Sequence, residues 1–281
     1  MTDIPNSIIR DLESKGVSID ACYIVTGGDI NEARKIITAE RKAYFLKYNS
    51  SVFAPALLAS ELSGLDLLDQ HNIVTPSRLQ SQVTKAPAYL LLDWIETGQR
   101  DDIQLAKALT RLHLETNLEY GLGEDNFIGS LPQKNNWFNS FSDFYITTRI
   151  APQVQRAYQK GFNLDFSLEN FQTRIEAEIP NERPTLIHGD LWSGNLMDSI
   201  SGPVFIDPSV SYAHREMDLA MMCLFGGFSL DFFENYNSLF PLEKGWKQRS
   251  DLFQLYYLLV HLNLFGAGYL NRVSTILSKY R

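Results

Sequence analysis

The chain has 281 residues, 44% of them apolar, and a formal net charge of −8. That length allows two lobes with sizeable cores but not several independent domains, and the acid excess speaks against a nucleic-acid binder, which presents a basic face to phosphates. Two cysteines, Cys22 and Cys223, are too few for a disulfide framework and lie in no metal-ligand spacing, so a cytoplasmic setting is expected.

The chain opens MTDIPNSIIRDLES, polar and acidic, which does not read as a signal peptide. Residues 7–15 have the pattern of a short amphipathic helix. Three β-rich stretches follow at 21–26, 33–38 and 43–48, the first two separated by the turn-forming GGDIN. From 54 to 71 the apolar residues recur every three or four positions (Leu57, Leu58, Leu62, Leu65, Leu68), which predicts a long helix. Two further strands at 78–83 and 88–92 complete a β-rich N-terminal lobe, residues 1–93. From 94 to 281 the pattern turns helical, with helices expected at 101–116, 138–159, 166–178, 214–225, 229–237 and 247–279. The apolar run 255–270 carries His261, Asn263 and two glycines; it is too short and interrupted to span a bilayer and reads as a core helix. The expected fold class is therefore α+β: bilobed and protein-kinase-like, with a small antiparallel-sheet N-lobe carrying one long helix and a larger helical C-lobe.

The strongest chemical signal is HGDLWSGN, His188 to Asn195, followed twelve residues later by Asp207 in FIDPS. Phosphoryl transfer needs a carboxylate near the incoming hydroxyl and oxygen ligands for the magnesium that bridges the phosphates. Asp190 and Asn195 stand five apart, the separation of a kinase catalytic loop with Asp as base and Asn as metal ligand. Asp207 follows an apolar strand and suits a second Mg²⁺ ligand. A bland alternative makes HGD and Asp207-Pro208 simple turns and Asn195 a cap, but three such groups between apolar strands favour chemistry.

Lys47 ends AYFLK, where alternation puts Ala43, Phe45 and Lys47 on one face, with Phe45 placed to cover a nucleotide base and Lys47 to reach its phosphates. Glu61 on the long helix is favoured over Glu40 as its partner. Gly27, Gly28 and Ile30, in the turn ahead of Lys47, are candidates for the phosphate-binding loop, although no Walker A pattern occurs. His113 and His261 read as packing histidines, and His188 as a brace of the catalytic turn. Asp218 is either a helix-surface acid or a ligand of the backbone amides of 188–195.

HGDLWSGN, IDPS, SYAHREMDLA, LFGGF, GGDINEA, FLKYN, DNFIGSLPQKNNW and DFYITTRIAPQ, in this order apart from the last four, which precede them in the chain, resemble the fructosamine kinase (ketosamine 3-kinase) family, a branch of the aminoglycoside-phosphotransferase and choline-kinase-like group. The resemblance runs from about residue 20 to 272; DLWSGN and YAHREMDLA are its most specific parts. It implies ATP- and Mg²⁺-dependent phosphorylation of a ketosamine hydroxyl, the O3, on free ketoamines or glycated lysines, as part of deglycation. It further implies Asp93, Trp94 and Ile95 as the adenine-binding hinge, and Trp192, Tyr212, His214 and Glu216 as the sugar-amine pocket, with Glu216 meeting the amine. Where some members carry a cysteine in the glycine-rich loop, Asp29 stands here, and DPS replaces the commoner DPA. A monomer or weak dimer is expected, with no nucleic-acid or membrane partner. The rivals are a kinase of another small alcohol (an aminoglycoside, choline or a free sugar) and a nucleotide-binding pseudokinase. A pseudokinase would have lost one of Lys47, Asp190, Asn195 or Asp207, and all four are present.

Overall fold

The computed structural model describes residues 4–26, 30–165 and 167–280. The strands are β1 (Ile19–Ile24), β2 (Glu32–Thr38), β3 (Ala43–Asn49), β4 (Arg78–Gln82), β5 (Ala88–Asp93), β6 (Asn126–Ile128), β7 (Leu131–Gln133), β8 (Thr185–Ile187), β9 (Leu196–Ser199), β10 (Gly202–Phe205) and β11 (Ser211–Ala213). The helices are α1 (Asn6–Ser14), α2 (Ala54–Gln70), α3 (Asp102–Leu114), α4 (Phe141–Phe144), α5 (Ala151–Gln159), α6 (Leu168–Glu178), α7 (Glu216–Phe225), α8 (Leu230–Leu239), α9 (Trp246–Phe265) and α10 (Leu270–Leu277).

Two compact units result. The first holds the described residues up to 100 together with 197–207. A division at 93/94 puts that later segment in the helical part, but the β9–β10 hairpin returns the chain to the first unit: Phe205 N donates to Val74 O at 3.0 Å, and Gly98 N to Asp198 O at 2.7 Å.

The first unit is an antiparallel five-stranded sheet in the order β1-β2-β3-β5-β4, with a helix on each face. Side chains on a strand alternate between faces. Leu46 and Tyr48 of β3 pack with Ile8 and Leu12 of α1, whereas Phe45 packs with Ala54 and Leu58 of α2. Burying each such aliphatic side chain stabilises the unit by roughly 1.5–3 kcal/mol. Lys47, two residues from Phe45, is thereby delivered to the α2 face.

The second unit is mostly helical. Asp101 caps α3 by accepting from Ile103 N and Gln104 N. Its core is built around α9, with Leu252, Phe253, Tyr256, Tyr257 and Leu259 buried against α7, α5 and the π-helical turn Tyr145–Ile150 that joins α4 to α5. Two expectations change here. The single helix expected over 247–279 breaks at Gly266, whose φ of 88° ends α9 in a conformation open to glycine, before α10 resumes. The short strands β6, β7, β8 and β11 escape a periodicity reading because three residues are too few to show one.

α7 is tied to α9 by a buried ion pair: Arg249 Nε donates to Glu216 Oε2 at 2.8 Å, and Nη2 to Oε1. Replacing one partner leaves the other charge buried and unpaired, so Glu216→Gln is expected to lower unfolding free energy by about 3 kcal/mol, while the apolar double replacement Glu216→Leu/Arg249→Met recovers most of it. Urea unfolding of the three proteins checks this; equal losses in the single and double variants would contradict the assignment.

Candidate active site

In the first unit the candidate phosphate-binding residue Lys47 is 7% exposed. Its Nζ donates to Glu61 Oε2 at 2.8 Å and to Asp207 Oδ1 at 2.7 Å. Glu61 comes from α2, on the side chosen by the β3 alternation; Glu40 instead lies 3.8 Å from Lys42. Burial disfavours the charged form of Lys47, but the flanking Asp207 and Glu61 carboxylates outweigh it and hold the ammonium above its usual range. Burial pushes the Glu61 carboxyl up, with Lys47 pulling the other way. The two acids differ in access: the Asp207 side chain is 44% exposed, that of Glu61 only 10%. Asp207 has φ of 53°, the left-handed region that aspartate tolerates better than most residues, and this turns its carboxylate back toward Lys47.

Asp93 ends β5, its amide donating to Ser77 O at 2.9 Å. The Trp94 ring carries Lys35 Nζ at 4.0 Å from its centre, and Trp94 and Ile95 are half-buried. Ile30 is exposed, its carbonyl receiving Asn49 Nδ2 at 3.0 Å. Gly27 and Gly28 lie outside the described residues.

In the second unit, β8 runs into the turn His188-Gly189-Asp190. Asp218, fully buried in α7, accepts from His188 N at 2.8 Å and Gly189 N at 2.9 Å, so of the two readings of this acid the backbone ligand holds. Its Oδ2 also meets His113 Nε2 at 3.2 Å, and His113 Nδ1 lies 2.7 Å from the Tyr236 hydroxyl. Gly189 has φ of +83°, and a Cβ there would come 2.0 Å from Ser209 O; only glycine fits. His188 is buried, and its Nδ1 accepts from Asp190 N at 3.3 Å, the brace expected of it. Asn195 folds back on the turn: its Nδ2 donates to Asp190 O at 2.9 Å and to Asp190 Oδ2 at 3.1 Å. The amide nitrogen thus fixes the Asp190 carboxylate.

Trp192 is 37% exposed and its ring lies over Gly194, where a Cβ would come within 2.2 Å of it. Tyr212 sits on β11 opposite Leu186, its ring 6.2 Å from the exposed indole of Trp137, which is not among the expected pocket residues. The other two residues expected in the sugar pocket do not present themselves. His214 is fully buried between Phe141 and Phe253, and its Nδ1 accepts from Glu216 N. Glu216 is 2% exposed, with both carboxylate oxygens paired to Arg249, and is closed off from an amine in solution. Both are interior, because the chain enters the core at Ala213 and stays buried through Met222 of α7.

Among the described residues no three His, Cys, Asp or Glu are grouped to hold a metal. Asp207 in the first unit and Asn195 in the second each carry a hard oxygen, the donor type Mg²⁺ takes, an ion that uses one or two protein oxygens and completes its shell with phosphates and water.

The sequence matches the fructosamine kinase family over residues 1–281. The chain belongs to that family. It is 39% identical over 280 residues to an Enterococcus faecium protein assigned as a ketoamine kinase, covering 98% of this chain and 99% of the relative. It is 32% identical over 284 residues to the chloroplastic protein-ribulosamine 3-kinase of Arabidopsis thaliana, covering 95% and 85%. A crystal structure from Haemophilus somnus, assigned as a fructosamine-3-kinase, superposes with a TM-score of 0.86 at 25% identity, over 97% of this chain and 96% of that one. A choline kinase from Streptococcus pneumoniae shares the fold alone, with a TM-score of 0.62 at 16% identity over 98% and 99%. The chain is thus a phosphotransferase of kinase-like α+β fold. Among the described residues no helix is long and apolar enough to cross a membrane.

Burial holds the His214 imidazole down at about 4, with the Glu182 carboxylate opposing. The folded value lies below the ordinary 6.5, so the stability His214 contributes as a neutral ring is present above pH 6.5 and is lost as pH falls toward 4. The loss is on the order of 3 kcal/mol. His214→Phe is expected to flatten the fall in the urea midpoint between pH 7 and pH 5; an unchanged slope would show that another group drives it.

Proposed function

We propose that this fructosamine kinase family member transfers the terminal phosphate of ATP to a ketosamine hydroxyl, the O3 of a fructosamine or ribulosamine, with Asp190 as the general base. The observation that carries the reading is the turn itself: a carboxylate oriented by Asn195, on a backbone held by the buried Asp218. Such a group takes the proton of an attacking hydroxyl as the new oxygen–phosphorus bond forms, and needs no other covalent role.

Lys47, kept protonated by its two carboxylates, supplies the positive charge for the nucleotide phosphates, and Glu61 keeps that charge from swinging into solvent. Asp93, Trp94 and Ile95 take the adenine, and Gly27, Gly28 and Ile30 the phosphate loop. Asp207 and Asn195 hold Mg²⁺, which when bound neutralises phosphate charge. Trp192 and Tyr212 remain as the aromatic surfaces for the sugar; an exposed indole suits its apolar face. Substrates are free ketoamines or glycated lysines, and the setting is cytoplasmic, as the scarcity of cysteine suggests.

A coupled ATPase assay with ribulosyl- or fructosyl-lysine tests the substrate class, and NMR of the product locates the phosphate. Stimulation by choline or an aminoglycoside alone would overturn the ketosamine reading. Asp190→Ala is expected to lower kcat at least about 100-fold while Mg·ATP binding stays within about threefold; full activity would remove Asp190 from the base role. Asp207→Asn is expected to raise the magnesium concentration needed for half-maximal rate about tenfold. An unchanged titration would show that Asp207 is no ligand.

A further inference from the structure

The β6–β7 hairpin and the residues after it carry three buried amide side chains, Asn126, Gln133 and Asn135, that the reading above leaves unused. Arg149, from the π-helical turn, underlies them at 1% exposure. Its Nη2 donates to Asn135 Oδ1 at 2.8 Å and its Nη1 to Lys134 O at 3.1 Å, and the guanidinium lies 4.5 Å from the centre of the Phe144 ring. Asn135 Nδ2 passes the order on, donating to Asn126 Oδ1 at 2.9 Å, and Gln133 Nε2 donates to that same oxygen at 2.8 Å. The Tyr256 hydroxyl donates to Gln133 Oε1.

Two donors on Oδ1 leave the Asn126 amide one orientation, with Nδ2 directed at Val210 O, 2.8 Å away. Gln133 Nε2 also reaches Ser209 Oγ at 3.3 Å, and that hydroxyl donates to Phe127 O at 2.7 Å. The hairpin therefore grips two consecutive residues, Ser209 and Val210. Ser209 is the residue against which the catalytic turn is built: its amide donates to His188 O at 2.8 Å, and its carbonyl is the atom that excludes a Cβ from Gly189.

We propose that Asn126 and Gln133, oriented by Asn135, Arg149 and Tyr256, are positioning residues that set the place of Asp190 through Ser209 and Val210. The inference rests on Asp190 being the base. A chain of directional bonds in a dry interior has one low-energy arrangement, which a core of interchangeable aliphatic side chains would not impose. Misplacing a base by a fraction of an ångström costs rate and leaves nucleotide affinity alone.

The test is kinetic. Asn126→Asp keeps size and the accepting oxygen but replaces the donor to Val210 O with a second acceptor. It is expected to lower kcat at least about tenfold with KM for ATP within about twofold. Ser209→Ala, which removes one hydroxyl from a buried site, is expected to lower kcat about threefold, and the double variant by less than the product of the two losses, because both act on one segment. Folded Asn126→Asp with kcat within about twofold of the parent overturns the proposal. If Asn126→Asp does not fold, Ser209→Ala decides alone, and parental kcat there overturns it. Activity retained in Asp190→Ala would instead sink the base assignment, a result separable from both.

Discussion

One buried carboxylate organises the second unit. Asp218 receives two consecutive backbone amides, those of His188 and Gly189, and also meets the ring of His113. Amides at a tight turn have no strand or helix partner, and leaving them unpaired inside the protein would cost about 1–3 kcal/mol each. By meeting both, Asp218 stabilises a turn whose positive φ at Gly189 only glycine adopts without penalty, and so fixes the backbone that leads into Asp190. The same carboxylate joins three elements, α7, α3 and the end of β8, so the turn's position is a property of the core and not of a surface loop.

The first unit solves a different problem, that of keeping a lysine both charged and buried. An ammonium out of water is tolerated only with opposite charge around it, and Lys47 has two carboxylates of unlike accessibility. Glu61 is the enclosed partner, which fixes the side chain's direction; Asp207 is the exposed one. A single lysine thus ties the sheet to α2 and to the β9–β10 hairpin, two segments more than 100 residues apart in the chain.

The second unit also holds polar structure away from the Asp190 turn. The Glu216–Arg249 pair, the neutral His214 among aromatic rings, and the amide network of the β6–β7 hairpin are all interior. Buried polar groups are worth most when fully bonded and are then directional, so they fix relative placement in a way that packing alone does not.

Much of this was legible in the chain itself. The period of two in AYFLK sent Phe45 and Lys47 to one face, the period near 3.6 over 54–71 announced α2, and the five-residue spacing of Asp190 and Asn195 brought them into contact because so short a loop has little freedom. Local spacing is enough where the partners are close in sequence. It cannot say what a side chain meets across the fold. The family resemblance implies a sugar-pocket place for His214 and Glu216, yet both are interior because Phe253 and Arg249, on the later helix α9, pack over them. Likewise nothing near Asn126 or Gln133 in the sequence marks them as supports of a turn more than 50 residues away. Periodicity and motif spacing determined the elements and the candidate reactive groups; burial and long-range pairing, which exist only once distant segments pack together, decided which polar residues are enclosed in the scaffold.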